Sequence, residues 1–117
     1  MSVKNSNDIP GEDVSAGSGT TKQVLIGPEQ APNFAMRRFI IESGGGMPLH
    51  TNRVEHEQYV LRGQARINIG DDEYHVRTGD VVYIPAGTEH SYSAYGDEPF
   101  EFICVVPNAE DDIEIVE

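Results

Sequence analysis

The sequence predicts an all-β protein that folds as a small antiparallel sandwich or barrel. Short segments rich in β-branched and aromatic residues recur at close spacing along the chain. Gly, Pro and Asp turn signals separate these segments, and no stretch has helical periodicity of useful length. Together these observations indicate many short antiparallel strands, and a chain of 117 residues fits one domain.

The two ends of the chain differ in composition from its centre. Residues 1–20 are polar and rich in Gly, Ser, Asn and Asp, which is typical of a flexible N-terminal arm. The barrel is predicted over residues 21–107, and its first strand, 23–26, ends at the Gly27-Pro28 turn. Residues 108–117 form an acidic tail, in which 113–116 either adds an edge strand or lies in solvent.

The central strands follow from alternation and turn residues. One strand is predicted over residues 34–42 and ends at the glycine triplet 44–46. Both of its faces are mostly apolar, so the pattern leaves open whether Arg37 or Arg38 faces the interior. Further strands are predicted over 58–61, 65–69, 74–76, 81–84, 90–94 and 100–106. In the last strand Glu101 lies on the face opposite to the interior set, which we expect to consist of Phe102, Cys104 and Val106.

Charge and cysteine content exclude several classes of partner. The net charge is -12, and the eight Lys and Arg residues are scattered, which argues against a nucleic-acid partner and against an anionic membrane surface. No apolar run approaches the roughly 20 residues of a membrane span, and the start carries no signal-peptide pattern. The single cysteine, Cys104, forms no internal disulfide, so we expect a cytoplasmic protein.

The small size of the barrel also predicts self-association. A body of fewer than about 90 residues buries limited apolar area by itself. The strand around Tyr59, Val60 and Leu61 is apolar on both faces. We therefore expect a homodimer that covers one outer face.

Histidines near two turns form the candidate site. In an extended segment residues two apart share a face, so His50 and Asn52 point the same way, together with His56 if no bulge intervenes. His90 follows a second turn, and inward residues of different barrel strands converge. Imidazole suits Mn, Fe, Ni, Cu and Zn. On these residues alone, solvated loop histidines are an equal alternative.

The spacing of these residues resembles a known family. A first glycine-bounded motif consists of Gly44, His50, Asn52, His56 and Gly63. A second consists of Gly79, Pro85, Gly87, His90 and Ala94. Both resemble the motifs of the cupins, and the resemblance covers residues 22–107. It implies a small jelly-roll (double-stranded β-helix) cupin barrel around one metal ion.

Two departures from the family pattern define the expected ligands. His56 replaces the usual glutamate, which resembles the four-histidine manganese-type cupins, and Asn52 replaces one of those histidines. The resemblance therefore implies a divalent transition metal held by His50, His56 and His90, with Asn52 as a further candidate. Manganese is favoured, and Fe, Ni, Cu and Zn are alternatives. Glu57 competes with His56 for the ligand position.

The remaining candidates belong to the wall of the site. The resemblance places the face that carries Phe102, Cys104 and Val106 near the metal, and Gln58 and Tyr92 are further wall candidates. Glu57 is a candidate general base. Arg37 either holds a substrate carboxylate or forms a structural salt bridge.

Two functions follow from these expectations. The first is a metal-dependent enzyme of the dioxygenase or oxidoreductase type that acts on a small molecule. The alternative is a non-catalytic module that binds a small molecule or a metal, because cupin folds serve both classes.

Overall fold

The structure, a computed structural model, describes residues 1–117 and consists almost entirely of strands. A single 3₁₀ turn, Ser6–Asp8, precedes ten strands, and no helix has the length and apolarity of a membrane span. The strands are β1 (Glu12–Asp13), β2 (Ser18–Ile26), β3 (Phe34–Thr51), β4 (His56–Arg62), β5 (Gln64–Ile69), β6 (Asp72–Arg77), β7 (Val81–Ile84), β8 (His90–Tyr95), β9 (Phe100–Pro107) and β10 (Glu114–Ile115). The predicted all-β class is confirmed.

The long strand β3 organises the sheet. All pairings are antiparallel, and the strand order is β6-β5-β8-β3-β9-β4-β7. The first part of β3, from Phe34 to Ile41, pairs with β9 and β2, whereas Gly46 to His50 pairs with β8. Because one strand contributes to both halves, the sheet curls into a jelly-roll.

The glycine triplet bends β3 and does not end it, so the predicted strand end at this point is wrong. Gly44 has a φ of +87°, a conformation that side chains disfavour. A Cβ added to Gly46 would overlap the carbonyl oxygen of Tyr92 on β8. Glycines here therefore let the strand change partners and let β8 approach closely.

The interior contains the residues that alternation predicted. Ala65 and Ile67 on β5 are buried, while Arg66 between them is exposed. On β9 the interior face carries Phe102 and Cys104, which are buried as expected, as is Val106. The aromatic ring of Phe102 stacks between those of Phe39 and Tyr92, at centroid distances of 5.2 and 5.4 Å.

Both chain ends lie against this body. Strand β2 begins at Ser18, earlier than the predicted residue 23, and β1 pairs with it. The side-chain amide of Gln23 donates to the carbonyls of Ser6 and Ile9, which holds the 3₁₀ turn on β2. In the tail, β10 pairs with the end of β3, so the edge-strand alternative describes this structure. The domain boundaries at 20 and 107 and the flexibility of the arm stay predictions.

Candidate metal and ligand site

A cavity of about 70 Å³ lies inside the jelly-roll, between the end of β3, the start of β8 and the start of β4. Half of its 14 lining residues are hydrophobic, and three of the others are His50, His56 and His90. A single water needs roughly 10–15 Å³ of such space, so this cavity can hold several waters, or a small organic group beside an ion.

The pairing of β3 with β8 brings two of the histidines together. His50 and His90 are direct partners in the register, and their ring centroids lie 4.1 Å apart. The ring centroid of His56 lies 5.7 Å from that of His90. All three are at least nine-tenths buried. The structure therefore gathers the three predicted histidines, and their role as ligands stays a prediction.

Backbone contacts fix the tautomers of two of these rings. Nδ1 of His50 lies 2.7 Å from the carbonyl oxygen of Pro48, and Nδ1 of His90 lies 2.8 Å from that of Thr88. Because a carbonyl oxygen only accepts, each Nδ1 carries the proton and each Nε2 keeps its lone pair. Metal-binding histidines are commonly oriented in this way.

Burial keeps the three imidazoles neutral. Burial, the positive charge of Arg37 and the neighbouring His90 and His50 together lower the pKa of His56 to about 3. Burial also lowers the pKa of His90 to about 4, while the Thr88 carbonyl opposes the change. The pKa of His50 is lowered for the same reason. A neutral imidazole is the form that binds a metal.

His56 carries the clearest sign of a missing partner. Its Nε2 atom is buried and has no hydrogen-bond partner, which is costly for a polar atom. Its Nδ1 atom lies 3.1 Å from the Sγ atom of Cys104. An atom that bonds Nε2 of His56 would remove this cost.

The donor chemistry at the cavity therefore suits a divalent transition metal held by His50, His56 and His90. As the side chains stand, no group of three or more His, Cys, Asp or Glu residues is arranged so that it could hold a metal ion. The ring orientations in this structure are thus not those of a complete ligand set.

Of the other two ligand candidates, Asn52 is engaged by the tail and Glu57 lies outside the cavity. Asn52 lines the cavity, but its side-chain amide donates to the Asp111 carboxylate at 3.2 Å and to the Asp112 carbonyl at 3.5 Å. Glu57 is exposed, because it alternates with the buried His56 and Gln58 along β4. The structure does not bring Glu57 to the cavity, either as a ligand or as a general base.

Three of the five predicted wall residues line the cavity, and two do not. Gln58, Tyr92 and Phe102 line the cavity, and the amide of Gln58 donates to the Tyr92 hydroxyl at 2.7 Å. Cys104 lies behind His56, and burial raises the pKa of its thiol, so it stays protonated. Val106 is buried in the core but does not line the cavity.

The two adjacent arginines lie on opposite faces of β3. Arg37 lines the cavity, and its guanidinium carbon lies 5.1 Å from the ring centroid of Phe39. Arg38 faces the other side of the sheet, where it pairs with Glu101 at 2.5 Å and with the Gln23 side chain. The alternation left open which arginine faces the interior, and the structure shows that it is Arg37.

Residues from both chain ends also line the cavity, and the sequence reasoning missed them. Val14 comes from the arm, Lys22 from β2 and Ile113 from the tail. Asp111 holds the tail in place, since its carboxylate accepts from Asn52 and from the backbone N–H of Arg53. The available signal was weak: Val14 and Ile113 are apolar residues within otherwise polar end segments.

Comparison with known proteins identifies the fold family. Residues 37–106 match the cupin domain. An uncharacterized protein of Methanocaldococcus jannaschii is 30% identical over 81 residues, which span 67% of this chain and 65% of that protein. Quercetin 2,3-dioxygenase of Bacillus subtilis is 34% identical over 86 residues, 64% of this chain and 26% of the enzyme. The chain thus spans just under two thirds of the first relative and about a quarter of the second.

A solved structure matches the chain along its whole length. The polyketide cyclase RemF from Streptomyces resistomycificus superposes with a TM-score of 0.91 at 27% identity, covering 100% of this chain and 86% of that protein. The matched part therefore includes the arm and the tail as well as the barrel. Because the cupin domain matches more than half of the residues, this chain belongs to the cupin family.

Proposed function

We propose that this protein is a metal-dependent enzyme that acts on a small, oxygen-bearing organic molecule. The observation that carries the proposal is the cluster of three buried, neutral histidines at an otherwise largely apolar cavity. Burying three imidazoles and leaving Nε2 of His56 without a partner costs stability. A ligand bound to these residues would offset that cost.

In this proposal His50, His56 and His90 hold the metal. Manganese is favoured by the resemblance to the four-histidine manganese-type cupins, and Fe, Ni, Cu and Zn also suit imidazole ligands. Asn52 would join only after its amide leaves Asp111. A bound divalent metal would supply Lewis acidity and open positions for an oxygen group of the substrate.

The remaining wall residues bind and orient the substrate. Because Gln58 donates to the Tyr92 hydroxyl oxygen, the Tyr92 proton is free to donate to a substrate oxygen. Burial raises the pKa of Tyr92, so the phenol keeps this proton. The rings of Phe39 and Phe102 supply an apolar surface that excludes water from the bound molecule.

Two reaction types are compatible with this site, and each is supported by the similarity of this chain to a known protein. An oxygen-dependent reaction is supported by the similarity to quercetin 2,3-dioxygenase. A ring-closing reaction is supported by the similarity to a polyketide cyclase over the whole chain. Neither likeness carries the relative's own substrate to this protein.

Reconstitution of the metal-free protein tests the proposal. We expect Mn-loaded protein to convert at least one member of a panel of phenols, enediols and thiols. Conversion with oxygen uptake supports the oxygenase type, and conversion under argon supports the ring-closing type. The variant His90→Gln should be inactive, and His75→Gln, on an exposed histidine, should retain activity. Absence of conversion with Mn, Fe, Ni, Cu and Zn would contradict an enzymatic role.

The second candidate function is a non-catalytic binding module. It is favoured by the engagement of Asn52, whose side-chain amide donates to Asp111 in the tail. Tight binding of an organic ligand to metal-free protein, without conversion under any metal, would support this candidate.

A further inference from the structure

Arg37 is a half-buried cation in the cavity that has no acidic partner. No Asp or Glu oxygen lies within 4.0 Å of its guanidinium group. Such a partner is present for Arg38, Arg53, Arg62 and Arg66. The predicted alternative of a structural salt bridge is therefore absent at Arg37.

The contacts of Arg37 are with uncharged groups. Its Nη2 atom donates to Cys104 Sγ at 3.4 Å and lies 3.5 Å from Nδ1 of His56. Its guanidinium carbon faces the Phe39 ring, and its Nε atom is buried without a hydrogen-bond partner. The other cation at the cavity, Lys22, differs because Glu12 lies 3.5 Å from its Nζ atom.

A half-buried charge without a counter-charge costs free energy, and the buried Nε–H without an acceptor adds to that cost. We infer that the ligand of this cavity carries an anionic oxygen group that pairs with Arg37. Guanidinium forms short, directed hydrogen bonds with such oxygens. A carboxylate and a phenolate are two groups of this class, and they serve as the probes below.

The position of Arg37 places the anionic oxygen group of the ligand within the proposed site. Because Nη2 is 3.5 Å from His56, an anion on the guanidinium lies beside the histidine cluster. The Tyr92 phenol lines the same cavity and provides a neutral donor. The inference rests on the proposed function only for the idea that the bound molecule is a substrate, since anion binding itself needs no metal.

Calorimetry on metal-free protein in EDTA tests the inference with defined probes. These probes are acetate and 4-nitrophenolate, with acetamide and nitrobenzene as their uncharged counterparts. We expect at least one anion to bind while its uncharged counterpart does not. Arg37→Met should weaken that binding at least tenfold. Arg66→Met, on an exposed arginine, should leave it unchanged. Equal binding by Arg37→Met, or no binding of either anion to the wild type, would overturn the inference.

Thermal unfolding of the same variant separates a binding role from a structural one. Removal of an uncompensated, half-buried charge should raise the Tm of metal-free Arg37→Met above that of the wild type. A lower Tm, or failure of this variant to fold, would assign Arg37 to the structure and overturn the inference. Elemental analysis tests the metal separately, so anion binding in a protein that takes up no metal would reject only the proposed function.

Discussion

The imidazole of His90 packs against that of His50, with 4.1 Å between the ring centroids. The two residues are direct partners in the antiparallel pairing of β3 with β8. Each ring is held by the carbonyl two residues before it in sequence. One pairing register therefore positions both rings and selects the same tautomer for each.

The buried histidines predict that metal-free protein loses stability in mild acid. Their pKa values in the folded state lie below the ordinary 6.5, at about 3 for His56 and about 4 for His90. Between pH 6.5 and about 4 the unfolded chain therefore binds more protons than the folded chain. The free energy of unfolding should be highest above pH 6.5 and fall as the pH decreases toward 4. Urea unfolding in EDTA at a series of pH values measures this.

Two variants identify the source of that pH dependence. His56→Gln should flatten the decrease, because it removes the residue whose pKa is lowered most. His75→Gln should leave the decrease unchanged, because His75 is exposed on β6. A wild-type urea midpoint that stays constant down to about pH 4.5 would contradict the neutral cluster.

Asn52→His should increase metal affinity on the order of tenfold or more, because imidazole binds transition metals better than an amide does. The side chain at this position already lines the cavity, although Asp111 now holds its amide. Competition with a chromophoric chelator measures the affinity. Asn68→His is the matched control, since Asn68 pairs with Ser91 and does not line the cavity. Equal affinities for wild type and Asn52→His would exclude the view that Asn52 replaces a ligand.

The tail should control access to the cavity. Asp111 accepts from the Asn52 amide and the Arg53 backbone, and Ile113 lines the cavity beside them. Asp111→Ala should free the tail, so backbone amides of residues 114–116 should exchange with deuterium faster. Small ligands should also bind and leave faster. Glu110→Ala, on an exposed neighbour, should change neither rate. Unchanged exchange in Asp111→Ala would show that the tail is held by other contacts.

We propose that the protein is a homodimer, and the outer face of β4 and β7 is where the partner binds. Tyr59 and Val81 are cross-strand partners there and are 50% and 78% exposed, and Tyr83 is 58% exposed. Light scattering should give twice the mass of one chain. Val81→Glu combined with Tyr83→Glu should give a monomer, whereas Tyr95→Glu, on β8, should not. A wild-type monomer at micromolar concentration would rule the dimer out.

The sequence predicted those parts of the fold that depend on local alternation. Ala65 and Ile67 alternate with a polar residue, so their burial could be read directly. Alternation does not identify the interior face when both faces of a strand are apolar, as around Arg37 and Arg38. Which arginine enters the cavity depends on the pairing of β3 with β9 and on Glu101 across the sheet.

Long-range contacts account for what was missed. The glycine triplet at 44–46 looks like a strand end, yet it bends β3 between two sets of partners. The roles of Val14 and Ile113 at the cavity depend on how the two chain ends fold back. No local pattern predicts that return, since both residues lie in segments that are polar overall.

Anomalous diffraction from crystals soaked in a manganese salt tests the metal site most directly. We expect one anomalous peak per chain within bonding distance of Nε2 of His50, His56 and His90, with the rings turned toward it. The peak should be lost in His50→Gln crystals and retained in His75→Gln crystals. A cavity without an anomalous peak, or a peak that only one of the three rings contacts, would contradict the proposed metal site.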